Sequence, residues 1–260
     1  MFSSLFHKLV FSFLVVLVIG SGAAYFGVKH LQKIRDERDT AALNEKKRDI
    51  SITVIEGKRR EEVATLMQEK GICTAADFLT ASEGMEGTLF PDTYRFFANT
   101  TAKDVVAEMT ADYTKRTADL NPTPDQLIIA SIVEREALRD ADRAAIASIY
   151  LNRLKIGMKL EADPSVQYAK DSQAFVAQGN PVSYKFWVPI IQADYQSVQS
   201  PYNLYTVTGL PPGPIDSPGL ESIKAAVNPT KTNYYFLYYG KDGTFLPAKT
   251  YDEHLRNLSK

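Results

Sequence analysis

The chain has 260 residues, 45% of them hydrophobic and 23% charged, with a net charge of −1. That is apolar material enough for one large domain or two smaller ones, and the near-neutral balance offers nucleic acid no basic field. A single cysteine, Cys73, excludes an internal disulfide and a thiolate metal site. The three histidines, His7, His30 and His254, lack the spacing of a zinc hydrolase, and no phosphate-cradling glycine pattern occurs. Any chemistry therefore falls to carboxylates and hydroxyls.

After a short N-terminus (1–8, expected on the cytoplasmic side), Leu9–Val28 reads LVFSFLVVLVIGSGAAYFGV. An uncharged run of about 20 residues spans roughly 30 Å as a helix, which predicts a transmembrane anchor over 9–28. A cleaved signal peptide ending near Ser21-Gly22-Ala23 is the alternative. Lys29, Lys33, Arg35 and Arg38 follow the run, so flanking charge alone does not put the body outside, although long C-terminal domains translocate regardless. Residues 29–49 are charged and poor in Gly and Pro, the composition of a solvated helical stalk.

A small module is expected over 50–98. Ile52, Val54 and Ile55 suggest a strand, and Gly57 a turn. Helices follow over Arg60–Lys70 and, after Thr74 as N-cap, over Ala75–Ala81, with a return strand near Tyr94–Phe97. Between them EGMEGTLFPDTYRF (Glu83–Phe96) is too rich in Gly and Pro to be a regular helix. The remainder, 99–260, begins with a helix over Ala102–Arg116. Thr123-Pro124-Asp125-Gln126 then gives a cap, a first-turn proline and acid, and Gln at N3, so a helix is expected over Pro124–Leu138. Another is expected over Ala141–Leu154, with Ile146, Ile149, Tyr150 and Arg153 on one side. Beyond Gly157 the prolines predict loops, then a short helix near Leu220–Val227, an aromatic strand Asn233–Tyr239, a turn at Asp242-Gly243 and a last helix from Tyr251.

Glu134 and Glu136 close an otherwise apolar helix. Two residues apart places them about 200° around its axis, so the two cannot share one site. A carboxyl flanked by Ile132, Val133 and Leu138 is partly desolvated, which raises its pKa toward that of a general acid. Around it in sequence lie Asn152, Asp163, Ser165, Gln167, Tyr168, Tyr202, Asn203 and Tyr205, the residue types that stack on sugar rings and bond their hydroxyls. Asp163 is the candidate second carboxylate, and it also precedes Pro164, where it can simply shape a turn.

Four ordered segments carry a resemblance: EGTLFPDTY (Glu86–Tyr94), IIASIVEREA (Ile128–Ala137), NRLKIGMKLEADPSVQYA (Asn152–Ala169) and SPYNLYTVTGLPPGPIDSPGLESIKAAVNPTKTNYYFLY (Ser200–Tyr238). Together they resemble the endolytic murein transglycosylase, or YceG-like, family, over nearly everything from Ile52 onward. The resemblance implies an α+β protein with an N-terminal transmembrane helix, a small LysM-like β-α-α-β subdomain and a mixed helical/β catalytic subdomain, held in the inner membrane by a single pass with the catalytic part outside. It implies cleavage of nascent glycan strands at the MurNAc–GlcNAc linkage, leaving a 1,6-anhydro-MurNAc end, with no cofactor or metal. The acid/base is placed by resemblance on Glu136, with Glu134 the second choice. Ala137 stands where the wider group often has Ser or Thr, and Lys241–Tyr251 departs from the family's Gly-rich hairpin. Implied partners are peptidoglycan strands, the membrane and cell-wall synthases, and not nucleic acid. The alternative function is a non-catalytic, peptidoglycan-binding or synthase-recruiting membrane protein.

Overall fold

The computed structural model describes residues 28–40 and 49–260. The chain divides into two units, Met1–Asp49 and Ile50–Lys260. In the first, residues 28–40 form a helix (α1) exposed along its whole length, with Lys33 and Glu37 paired one turn apart at 3.8 Å.

The membrane-spanning element expected of the fold is corrected here. Among the described residues no helix is long and apolar enough to cross a membrane. Helix α1 is short and carries charge on every side, and the run expected to span, 9–28, lies outside the described residues except for Val28. The fold is thus α+β without a described membrane helix, and single-pass placement in the inner membrane is not supported.

The second unit begins one residue into β1 (Asp49–Thr53) and continues with α2 (Arg60–Glu69), α3 (Ala75–Ala81), β2 (Thr93–Phe97) and α4 (Ala102–Arg116). β1 and β2 pair in a two-stranded sheet. The hydroxyls of Thr53 and Thr93 meet at 2.8 Å, and Val54 N–H donates to the Asp92 carbonyl at 2.9 Å, the register of an antiparallel pair. Thr74 and Thr101 cap α3 and α4 by accepting the backbone N–H three residues on. The alternating inward residues of the strands close over Val63, Met67, Phe78, Val105 and Met109 in one buried cluster.

The larger core is built from α5 (Pro124–Glu136), α6 (Asp140–Lys155) and α9 (Leu220–Val227), which pack mutually. α5 starts on a capping box between Thr123 and Gln126 and buries Leu127, Ile128, Ile129, Ile132 and Val133. Each such side chain contributes roughly 1.5–3 kcal/mol. Such all-round burial makes α5 the central element and its C-terminal end a fixed platform. Gly87 lets the Glu83–Phe96 connection press against this core. Its φ is +85°, and a Cβ there would lie 2.6 Å from Cγ of Pro214.

Two expectations differ from what is observed. Residues after Gly157 were expected to be loop, but α7 (Asp163–Ala177) is a full helix, because Asp163-Pro164 opens it rather than turning the chain. A short helix, α8 (Asp194–Ser197), follows. The aromatic strand, in contrast, is reduced to isolated bridges, Phe236 with Ala248 and Tyr239 with Phe245, around the Asp242-Gly243 turn. No continuous strand occurs among the described residues after Phe97. The last helix is α10 (Tyr251–Asn257).

Candidate active site

α5 ends where Ala137 takes extended backbone (φ −77°, ψ 121°), so Glu136 is its last helical residue. Its carboxyl lies in a cavity of about 220 Å³ walled by α6, the turn into α7, Tyr205, the aromatic segment around Phe236, and α10. Tyr150, on α6 and only 2% exposed, donates its hydroxyl to Glu136 Oε1 at 2.8 Å. Burial pushes the Glu136 carboxyl up to about 7. The negative Asp163 adds to this, while the Tyr150 hydrogen bond and the Arg153 guanidinium oppose it. A carboxyl raised toward neutrality in this way is suited both to give and to take a proton.

Glu134 faces the other way, as the helix period requires. One oxygen pairs with Arg143 at 3.1 Å and the other accepts the Gly219 N–H at 2.9 Å, in a nearly buried arrangement. Both oxygens are thereby committed to fastening α5 to α6 and to the start of α9.

Of the other sequence candidates, the cavity brings Asp163 and Tyr205 to Glu136. Tyr205 donates to Asp163 Oδ1 at 2.6 Å and packs on Tyr195 at 4.1 Å between ring centroids. The rest lie elsewhere. Asn152 binds the carbonyls of Thr232 and Tyr234. Ser165 bonds the Ala162 carbonyl from a fully buried position. Asn203, also fully buried, stitches its loop through Tyr195, Val198 and Tyr205. Tyr168 packs at a tilt of 46° against Tyr202, centroids 4.8 Å apart, and lies under the buried Arg59 guanidinium at 4.1 Å. Gln167 is half-buried and does not line the cavity.

Sequence reasoning missed Tyr150, Arg153, Glu161 and His254 as site residues. The first two share a helical face, three residues apart on α6, and that was the available signal. Arg153 reads the α6–α7 turn, donating to the Lys159 and Leu160 carbonyls (3.1 and 2.8 Å) and to Glu161 (3.2 Å). It also fixes the aromatic segment through the Tyr235 carbonyl at 2.6 Å. Glu161 sits at φ +49°, a left-handed conformation held by that pairing and by its own N–H on the Leu204 carbonyl.

A carboxyl raised by burial, a tyrosine hydrogen-bonded to it and aromatic walls are groups that can support acid–base chemistry. The chain matches the YceG-like family over residues 27–260 and belongs to that family. A Streptococcus pneumoniae protein named endolytic murein transglycosylase is 34% identical over 185 residues, 68% of this chain and 32% of that protein. A Bacillus subtilis protein of the same name is 37% identical over 185 residues, again 68% of this chain and 48% of that protein. The chain thus spans about a third to a half of the length of these relatives. A crystal structure of a yceG-like protein from Listeria monocytogenes superposes with a TM-score of 0.65 at 28% identity, covering 79% of this chain and 75% of that one.

Proposed function

We propose that this chain is an endolytic lytic transglycosylase that cuts peptidoglycan strands at the MurNAc–GlcNAc linkage, with Glu136 as the single acid/base. The observation that carries the reading is the enclosed Glu136 carboxyl, raised to about 7 and oriented by Tyr150. The relatives' shared name supplies the substrate class. Glu136, protonated, gives its proton to the glycosidic oxygen as the C1–O bond breaks and an oxocarbenium-like centre develops. The resulting carboxylate takes the proton of the MurNAc C6 hydroxyl, whose oxygen closes onto C1 to give the 1,6-anhydro ring. The nucleophile belongs to the substrate, so proximity replaces an activated water and no second catalytic carboxylate is needed. Asp163, engaged by Tyr205, then serves electrostatics and substrate binding. The β1–α2–α3–β2 unit is assigned the role of a LysM-like glycan-orienting subdomain.

The test is digestion of purified sacculi by the intact chain, with mass analysis of the products. Ends lighter by one water, the mark of the anhydro ring, are expected. Reducing MurNAc ends would show a hydrolase instead, and unaltered sacculi a binding protein.

A further inference from the structure

His254 lines the cavity around Glu136, and one of its ring nitrogens has no partner. Nδ1 of His254 is shielded from solvent and makes no hydrogen bond, although buried polar atoms nearly always do. The ring is not loosely placed. It stacks on Phe236 at 5.3 Å with 23° between planes and meets the edge of Tyr238 at 6.5 Å. Its helix, α10, is secured on both sides of it. The Thr250–Glu253 capping box fixes the start, and Asn257 Nδ2 donates to the Leu246 carbonyl at 3.2 Å beyond. The chain therefore holds this imidazole in the lining of the Glu136 cavity without using it for internal hydrogen bonding.

The tautomer follows from the cost of burial. An orphaned N–H is rarer and dearer than an orphaned lone pair, so the buried Nδ1 is the bare nitrogen and Nε2 carries the proton. Burial and the nearby Arg153 guanidinium also hold the imidazole below its ordinary pKa, against a smaller opposing effect of Glu161. No described residue accepts from Nε2, and His254 lines the same cavity as Glu136 and Asp163. Three carboxylates line that wall and each accepts from a protein group: Glu136 from Tyr150, Asp163 from Tyr205 and Glu161 from Arg153. His254 thus offers an open donor to this wall, and a sugar ring, dense in oxygen acceptors, is a ligand that can use it.

We propose that His254 is a substrate-contacting residue of this cleft, donating its Nε2–H to an oxygen of the sugar bound against Glu136 and so fixing that ring for proton transfer. The inference rests on the glycan-cleaving reading of the site. Phe at 254 keeps the aromatic packing on Phe236 and removes the donor, whereas Gln offers an N–H at a similar reach. With purified glycan strands, His254→Phe should raise KM about 5- to 10-fold at unchanged thermal stability, the size of one lost neutral hydrogen bond. His254→Gln should recover most of that loss. The same order should appear in strand binding by the inactive Glu136→Gln protein and its double variants. A His254→Phe protein with wild-type KM and strand affinity would overturn the proposal, as would His254→Gln impaired as fully as His254→Phe. Failure of the wild-type chain to form anhydro ends would count against the reading of the site, whereas wild-type cleavage with indifferent His254 variants counts against this inference alone.

Discussion

Glu136→Gln should make the protein more stable at alkaline pH. The carboxyl's folded pKa is raised from the ordinary 4.5 to about 7, chiefly by burial. A raised acid binds more protons folded than unfolded, so stability falls as pH climbs between those two values and the full penalty stands above about 7. At 1.36 kcal/mol per unit the rise corresponds to about 3 kcal/mol, and the residue's partial exposure brings the expected difference to ~2 kcal/mol. Gln has nearly the same shape, and its side-chain oxygen can still accept from Tyr150, so the substitution removes the charge and little else. Urea unfolding of wild type and variant at pH 4 and pH 8 isolates the effect, because other titrating groups cancel in the difference. The variant should match wild type at pH 4 and exceed it at pH 8. A variant that is equally or less stable at pH 8 would refute the claim that this carboxyl is held at energetic cost.

Tyr150→Phe removes the one hydrogen bond that favours ionised Glu136, so its pKa should climb further. The alkaline limb of kcat/KM should then move up by about one unit, since one such bond is worth about 1.5 kcal/mol or more; an unmoved limb would separate Tyr150 from the titrating acid. Glu134→Gln takes the charge from the nearly buried pair with Arg143 and should cost roughly 1–3 kcal/mol of unfolding free energy while folded molecules keep their activity. Unchanged stability would contradict the fastening role. Gly87→Ala forces a Cβ against Pro214 at positive φ and should destabilise by about 1–3 kcal/mol in thermal unfolding; a neutral result would mean the connection can move away.

How legible the site was depends on whether its residues obey a local period. The opposed faces of Glu134 and Glu136 follow from 100° per residue, and the structure gives each a different environment. The start of α5 could be read from Thr123, Pro124 and Gln126 because capping is a local transaction. Asp163-Pro164 misled in the opposite direction: the pair suits a turn and a helix start equally, and only the packing of Val166 and Ala169 against Val198 selects the helix. The cleft's far wall was hidden altogether. Phe236 and His254 reach Glu136 through an irregular hairpin and a short terminal helix more than 90 residues downstream, and no spacing rule links them. Conversely, Asn152, Ser165 and Asn203 looked like sugar ligands by residue type, yet the amide nitrogens of the two asparagines and the Ser165 hydroxyl donate to backbone carbonyls. The expected span over 9–28 lies, apart from Val28, outside the described residues, and α1, which begins at Val28, is charged and exposed.

The central claim is that one carboxyl, Glu136, performs both proton transfers. The direct measurement is the amount of 1,6-anhydro-MurNAc ends released from sacculi by wild type, Glu136→Gln and Glu134→Gln at equal folded concentration. Glu136→Gln should lose at least ~10²-fold, the lower end of what a positioned general acid supplies, while still binding the sacculi. Glu134→Gln should stay near wild type. Full activity in Glu136→Gln together with an inert but folded Glu134→Gln would move the acid to the opposite helical face, and normal cleavage by both would contradict the single-glutamate mechanism itself.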